Sequence, residues 1–214
     1  MSPVAIVGVA GACGVAAVIA TPWLVRLARK ESPLLTSGLH PLLAALGGAG
    51  AAVWADSVIE VVVLAFMALV CGLLVTIDLA VHRLPNALVA PAYPVVVGAW
   101  AVQAVLDDSY ADLGRALLAG LALAGGYLVL ALISPSGLGM GDVKLAGLLG
   151  IVLGWYGWEQ VLAGTIAAFV LGGLAAVVLL VTARADRRTH LAFGPWMTAG
   201  AVVGLVWGSA LFGS

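Results

Sequence analysis

Two aspartates interrupt an otherwise apolar sequence at points where an ionisable side chain calls for an explanation. Asp78 directly follows the apolar run 61–77 and stands shortly ahead of Arg83. A carboxylate at the C-terminal end of a helix faces the negative end of the helix dipole, which costs about 0.3–1 kcal/mol at an exposed site. Helix stability therefore does not explain an aspartate at position 78. Ionisable groups at membrane depth are usually functional. The structural alternative is a carboxylate that reaches the lipid head groups or pairs with Arg83.

The second aspartate, Asp142, lies in a glycine-rich connection between two apolar runs. An aspartate just before an apolar run is a good helix N-cap, and glycines commonly join helices, so a capping role is the structural alternative. Gly139 and Gly141 lack side chains and would let another backbone approach the carboxylate closely.

The two carboxylates suit acid–base catalysis if different helices bring them together. Adjacent carboxylates do not both ionise easily, so they share a proton. The ionised group takes a proton from a water molecule that attacks a carbonyl, and the protonated group donates to the carbonyl oxygen and then to the leaving amine. This aspartic-protease chemistry needs no metal and no cofactor. Paired acids also form proton or cation pathways in membranes, so a proton-coupled transporter is an alternative function.

Other chemically capable side chains form weaker patterns. Lys144, two residues after Asp142, either balances the charge of the acid pair or anchors a helix at the head groups. Cys13 and Cys71 lie far apart in apolar runs, without the CxxC spacing of a zinc site or a disulfide framework. The histidines lack the HxxxH or HExxH spacing of metal sites. They are His40, His82 and His190.

The elements that must position these residues are membrane helices. Of 214 residues, 9% are charged and 64% are apolar, and the mean hydropathy is +1.19. A soluble domain of this size could not hide so much apolar surface. Because a membrane-spanning helix needs about 20 apolar residues, the sequence predicts an all-α polytopic membrane protein of about eight spans in a single domain, 1–214. The apolar runs are 4–26, 40–55, 58–77, 87–106, 113–133, 144–158, 160–182 and 192–212.

The charges predict which way the spans face. If all eight runs cross and the first begins outside, most basic residues fall on the inner side, as the positive-inside rule requires, and Arg115 is the exception. Both termini are then extracytoplasmic, and Asp78 and Asp142 share the cytoplasmic face. The runs 40–55 and 144–158 are short for a full span, and either is a candidate for a re-entrant segment. The inner basic residues are Arg26, Arg29, Lys30, Arg83, Lys144, Arg184, Arg187 and Arg188.

Three motifs together resemble the prepilin peptidases, the type IV leader peptidase family of GxGD intramembrane aspartic proteases. Residues 139–145 (GMGDVKL) resemble the GxGD signature. Asp78 followed by Leu84-Pro85 is similar to the other catalytic segment of the family, and 193–195 (FGP) to its late element. The resemblance covers most of the chain from about residue 58 onward, in the order of the family.

The resemblance implies that Asp78 and Asp142 are the catalytic pair, supported by Gly139, Gly141 and Lys144. It further implies a bacterial inner-membrane enzyme that cleaves the basic leader from prepilin or pseudopilin substrates at the cytoplasmic face. Glu31 and Asp186 are acidic residues that could meet such a leader. No basic block suggests nucleic-acid binding. A non-catalytic pilus or secretion assembly factor that keeps the fold remains an alternative.

Two departures from the family pattern shape the prediction. Asn86 stands where the family often has Asp, at a position to which no chemistry is assigned. Many bifunctional members carry a cysteine-rich N-terminal region with two CxxC pairs and also methylate the new N-terminus. This sequence resembles a short form without that region, so the expected activity is peptidase without N-methyl transfer and without zinc.

Overall fold

The structure of this chain is a computed structural model that describes residues 2–28, 32–134, 138–182 and 192–212. Within these residues it is helical, with eight α-helices and a 3-10 turn at Pro33–Thr36. The helices are α1 (Pro3–Ala28), α2 (Leu39–Trp54), α3 (Val58–Val81), α4 (Asn86–Asp107), α5 (Tyr110–Ile133), α6 (Met140–Tyr156), α7 (Trp158–Val181) and α8 (Gly194–Phe212).

The helices coincide with the eight apolar runs, which confirms the all-α fold class. Six of them, α1, α3, α4, α5, α7 and α8, are long and apolar enough to cross a membrane. The other two, α2 with 16 residues and α6 with 17, correspond to the runs predicted to be short. At 1.5 Å per residue they extend about 24 and 26 Å, less than the ~30 Å hydrocarbon core. The orientation of the termini stays a prediction.

The chain forms two compact units, Met1–Gln103 and Ala104–Ser214. The single domain predicted over 1–214 is not tested by this division and stays a prediction. Several residues of the sequence-based interpretation lie outside the described part of the chain. They are Arg29, Lys30, Glu31, Arg184, Asp186, Arg187, Arg188 and His190.

In the first unit, α2 packs antiparallel to both α1 and α3 through glycines. A methyl group added to Gly48 on α2 would lie 2.7 Å from the Cys13 Sγ on α1. One added to Gly72 on α3 would lie 3.0 Å from the carbonyl oxygen of His40 on α2. Such close approach through small residues is typical of membrane helices. It brings the C-terminal ends of α1 and α3 and the N-terminal end of α2 to one end of this unit.

In the second unit, α5 pairs with α6 and α7 pairs with α8, again through glycines. A methyl group on Gly150 of α6 would lie 2.7 Å from the carbonyl oxygen of Ala119 on α5. One on Gly204 of α8 would lie 2.9 Å from the Cα of Gly164 on α7. Gly157 alone joins α6 to α7, with a φ of 157° that L side chains rarely adopt. The helices of this unit therefore run antiparallel to their sequence neighbours.

Arg115 fixes the end of α6 that is remote from Asp142. Its Nε donates to the carbonyl oxygen of Gly154 at 2.7 Å, and its Nη2 donates to that of Trp155. Its Nη1 lies 2.8 Å from the Asp112 carboxylate. A cation there satisfies orphan carbonyls and complements the negative end of the helix dipole. This structural role explains why Arg115 is basic although the predicted topology puts it on the outer side.

Candidate active site

Asp78 lies in the last turn of α3 and is 5% exposed. All residues from Val70 to Asp78 are buried, so this part of α3 is surrounded on every side. The Thr76 hydroxyl, one turn earlier in the same stretch, donates to the Gly72 carbonyl oxygen at 2.9 Å. A carboxyl group placed this deep is costly unless it has partners or a function.

The chain leaves α3 immediately after the turn that carries Asp78. His82 caps the helix in the left-handed region, with φ 52° and ψ 45°, and its N–H donates to the Asp78 carbonyl oxygen at 2.8 Å. The Leu84-Pro85 segment follows, and α4 begins at Asn86 with the Leu88 N–H bonded to the Pro85 carbonyl oxygen at 3.0 Å. Asp78 therefore stands at a helix end, next to a short exposed loop.

Asp142 lies in the first turn of α6, and the structure corrects its alternative role as N-cap. The helix begins at Met140 and its N-cap is Gly139, so Asp142 is the third helical residue. Its Oδ2 accepts the Gly139 N–H at 2.9 Å, while its own N–H donates to the Gly139 carbonyl oxygen at 3.0 Å. Since glycine has no side chain, only the carboxylate arm of a capping box is present. Asp142 is half-buried and its second oxygen is not used by this contact.

The environment of Asp142 favours a proton-exchanging carboxyl group. It precedes the apolar part of α6 and lies outside the six helices long enough to span. Burial raises the pKa of Asp142 above its ordinary value, and the Gly139 N–H offsets only part of this effect. A carboxyl whose pKa is raised is better matched to acid–base work near neutral pH.

The predicted supporting residues differ in what they contribute locally. A methyl group on Gly139 would meet only the Asp142 Oδ2 at 3.4 Å and the Gly141 N at 3.9 Å, so the fold itself does not require a glycine there. Lys144 is half-buried on the same helix. Residues two apart on a helix do not share a face, so Lys144 and Asp142 project from different sides of α6.

Phe193, from the late FGP segment, belongs to a three-ring cluster at the Asp142 end of the second unit. Its ring centroid is 5.5 Å from that of Phe169 on α7 and 6.3 Å from that of Tyr127 on α5. The rings of Tyr127 and Phe169 are 5.5 Å apart. Phe193 sits so close to α7 that a methyl group on Gly172 would meet its ring at 2.8 Å.

Tyr127 is the residue that sequence reasoning missed. It is 4% exposed, and its hydroxyl is within electrostatic range of the Asp142 carboxylate. The available signal was a phenol inside the apolar run 113–133, since a buried tyrosine hydroxyl usually needs a polar partner. Phe193 of the FGP segment therefore packs on Tyr127, and Tyr127 lies within electrostatic range of Asp142 of the GxGD segment.

The remaining candidates have ordinary surroundings. His40 is buried in the first unit, where its Nε2 lies 2.9 Å from the Thr21 hydroxyl, and His82 is an exposed cap. Among residues 2–28, 32–134, 138–182 and 192–212, no three His, Cys, Asp or Glu side chains are grouped to hold a metal ion.

Comparisons with known proteins give the family context. A model of the type IV leader peptidase family matches residues 64–181, more than half of the chain and a range that contains both Asp78 and Asp142. A prepilin leader peptidase/N-methyltransferase of Stutzerimonas stutzeri is 30% identical over 155 residues, covering 70% of this chain and 52% of that protein. The protein of the same name from Bacillus subtilis is 28% identical over 137 residues, covering 63% and 51%. The chain thus spans about half the length of the curated relatives it matches. No solved structure matches it.

Proposed function

This chain belongs to the type IV leader peptidase family, and on that premise we propose that it is an intramembrane aspartic endopeptidase acting on prepilin-like proteins. The observation that carries the proposal is the family match over 64–181, which includes Asp78 and Asp142, each near a helix end in an apolar chain. The names of the matched relatives support the substrate class, a prepilin with a leader to be removed.

The proposed reaction uses Asp78 and Asp142 as one acid–base pair. The ionised carboxylate accepts a proton from water as the water oxygen bonds to the scissile carbonyl carbon, and the protonated carboxyl donates its proton to the carbonyl oxygen. In the second step a hydroxyl of the tetrahedral intermediate gives its proton to the ionised carboxylate as the carbonyl re-forms, the C–N bond breaks, and the amine nitrogen leaves with the proton of the other carboxyl group. The pair regains its single shared proton, so the cycle consumes one water and no cofactor.

We place this chemistry at the cytoplasmic face of a bacterial inner membrane. Support comes from charges at the helix ends: Arg26 lies in the last turn of α1, Arg83 follows α3, and Lys144 lies near the start of α6. The acidic residues Asp56 and Glu159 lie at the other helix ends. A positively charged leader would then meet the aspartate-bearing ends before its own hydrophobic helix.

We further propose peptidase activity without N-methyl transfer. The methyltransferase activity is part of the names of the relatives. The 214-residue sequence contains two isolated cysteines, Cys13 and Cys71, and no CxxC pair. The same reasoning supports a reaction without zinc.

The test is leader cleavage of a co-expressed prepilin-like substrate, read as a mobility shift. Wild type, Asp78→Asn, Asp142→Asn and the matched control Asp56→Asn, at an exposed loop residue, are compared at equal expression. We expect wild type and Asp56→Asn to shorten the substrate, and the other two to leave it intact, because Asn keeps the shape but cannot exchange protons.

Two outcomes of this assay contradict the proposal. Cleavage by Asp78→Asn or Asp142→Asn at the wild-type level would assign the chemistry to other residues or another enzyme. An intact substrate that cross-links to the wild-type chain would indicate the assembly-factor alternative. Proton-dependent transport by purified chain in liposomes, without any hydrolysis, would favour the transporter.

A further inference from the structure

The register of α5 against α6 brings Tyr127 to the level of Asp142. Ala119 on α5 lies against Gly150 on α6, since a methyl group on that glycine would be 2.7 Å from the Ala119 carbonyl oxygen. The two helices are antiparallel. Tyr127 is eight residues beyond Ala119, and Asp142 is eight residues before Gly150. At equal rise per residue the two side chains stand at the same height.

Tyr127 also lies on the face of α5 that packs on α6. It is seven residues beyond Gly120, two helical turns along the same face. A methyl group on Gly120 would meet the Ile151 side chain at 2.5 Å and the Gly147 carbonyl oxygen at 3.0 Å, so that face is in contact with α6. The burial of Tyr127 agrees with this placement.

The orientation of the Tyr127 ring is set by neighbours from two other segments. Phe169 of α7 and Phe193 of the FGP segment pack on it with centroids at 5.5 and 6.3 Å. These tilted contacts restrict the ring, and such aromatic pairs are worth about 0.5–1.5 kcal/mol beyond their buried area. A phenol with a fixed ring presents its hydroxyl in one direction.

We propose that Tyr127 is a positioning residue for Asp142, and that the FGP segment acts on the GxGD aspartate through it. This inference rests on the proposed peptidase function. In the substrate-bound site the Tyr127 hydroxyl donates to the Asp142 carboxylate, which orients the carboxylate and stabilises its ionised form. Catalytic hydrogen bonds are often long in the empty enzyme and tighten when substrate binds.

On the described helices packed against α6, Tyr127 is the titratable residue at the level of Asp142. Lys144 is on the same helix but on another face, as described above. The other titratable residues on the helices packed against α6 lie at the opposite end of the unit. They are Tyr110, Asp112 and Arg115 on α5 and Glu159 on α7, and α8 carries none among its described residues.

The test compares Tyr127→Phe with the control Tyr110→Phe in the purified chain, using a prepilin-like peptide substrate in micelles. Both variants remove one hydroxyl, but Tyr110 is exposed at the far end of α5. For Tyr127→Phe we expect kcat to fall roughly 10- to 100-fold, as for loss of a hydrogen bond to a charged group. KM and the melting temperature should stay near wild type because the ring cluster is kept.

The pH profile separates a positioning role from a structural one. Loss of the donor raises the pKa of Asp142, so the acidic limb of kcat against pH should move to higher pH in Tyr127→Phe and stay in place in Tyr110→Phe. A kcat within twofold of wild type, an unmoved acidic limb, or a loss accompanied by a lower melting temperature overturns the inference.

Asp142→Asn in the same assay distinguishes this inference from the proposed function. If Asp142→Asn is inactive while Tyr127→Phe behaves as wild type, only the inference fails. If Asp142→Asn cleaves the peptide at the wild-type rate, the proposed function fails and the inference fails with it.

Discussion

The close contact between α5 and α6 should make the chain intolerant of a methyl group at Gly150. This glycine faces the backbone of α5, where an added methyl would lie 2.7 Å from the Ala119 carbonyl oxygen and 2.9 Å from the Gly120 Cα. Gly125, on α5 in the same unit, has nothing within 4 Å of that position. Gly150→Ala and Gly125→Ala are therefore the same chemical change in crowded and open surroundings.

The structure allows the size of the difference to be worked out. Carbon contacts are most favourable at about 3.5–4.0 Å, so Gly150→Ala must separate the two helices by about 0.5–1 Å. Overpacking of this kind costs about 1–3 kcal/mol. Both variants gain about 0.5–1 kcal/mol from replacing glycine in a helix. Their free energies of unfolding should consequently differ by about 1–3 kcal/mol, with Gly125→Ala the more stable.

Thermal unfolding in detergent micelles measures this difference. At about 2–4 °C per kcal/mol for a chain of this size, Gly150→Ala should melt several degrees below Gly125→Ala. Leader cleavage should fall in Gly150→Ala as well, because the register that aligns Tyr127 with Asp142 is disturbed. Equal melting temperatures and equal cleavage would refute the reasoning that backbone contact between α5 and α6 positions the site.

Two further predictions concern the two ends of α6. Arg115→Ala removes the donors to the Gly154 and Trp155 carbonyl oxygens and should lower the free energy of unfolding by about 1–3 kcal/mol. Arg115→Lys keeps the charge but not the planar guanidinium, so it should recover part of this lost stability. Wild-type melting of both variants would show that this cap is dispensable. Burial raises the pKa of Asp142, so the folded chain binds the proton of this carboxyl group more tightly than the unfolded chain does. The stability that proton binding adds to the folded state is present at low pH and is lost as the pH rises through the folded-state pKa. Asp142→Asn should therefore melt above wild type at neutral pH, with the difference shrinking on acidification, and a difference independent of pH would contradict this.

The helices could be predicted from the sequence because each apolar run is long and bounded by charge or by Gly and Pro. Helix ends were less predictable. The apolar run 144–158 starts after Asp142, yet α6 begins at Met140, since Gly139 serves as N-cap. That shift of one turn places Asp142 inside the helix and removes its alternative role as N-cap. Hydropathy reports apolar residues, whereas helix ends depend on local hydrogen bonds.

The candidate site was only partly predictable for a related reason. Asp78 and Asp142 are visible because charges are rare in this sequence. Tyr127 is not, because a tyrosine in an apolar run has no motif and its neighbour is set by the register of α5 on α6. That register depends on glycines such as Gly120 and Gly150, which look alike in a chain with 28 of them. Arg115 is an exception to the charge pattern, and its position is explained only by its hydrogen bonds to the end of α6.

The central claim is that Asp78 and Asp142 act as one acid–base unit, and a double-mutant comparison tests it most directly. The purified chain, Asp78→Asn, Asp142→Asn and the double variant are assayed for kcat on one prepilin-like peptide. Groups that act as a unit are strongly non-additive, so each single variant should lose several powers of ten and the double variant no more than either. Losses that multiply in the double variant, or a single variant within tenfold of wild type, would contradict the paired mechanism.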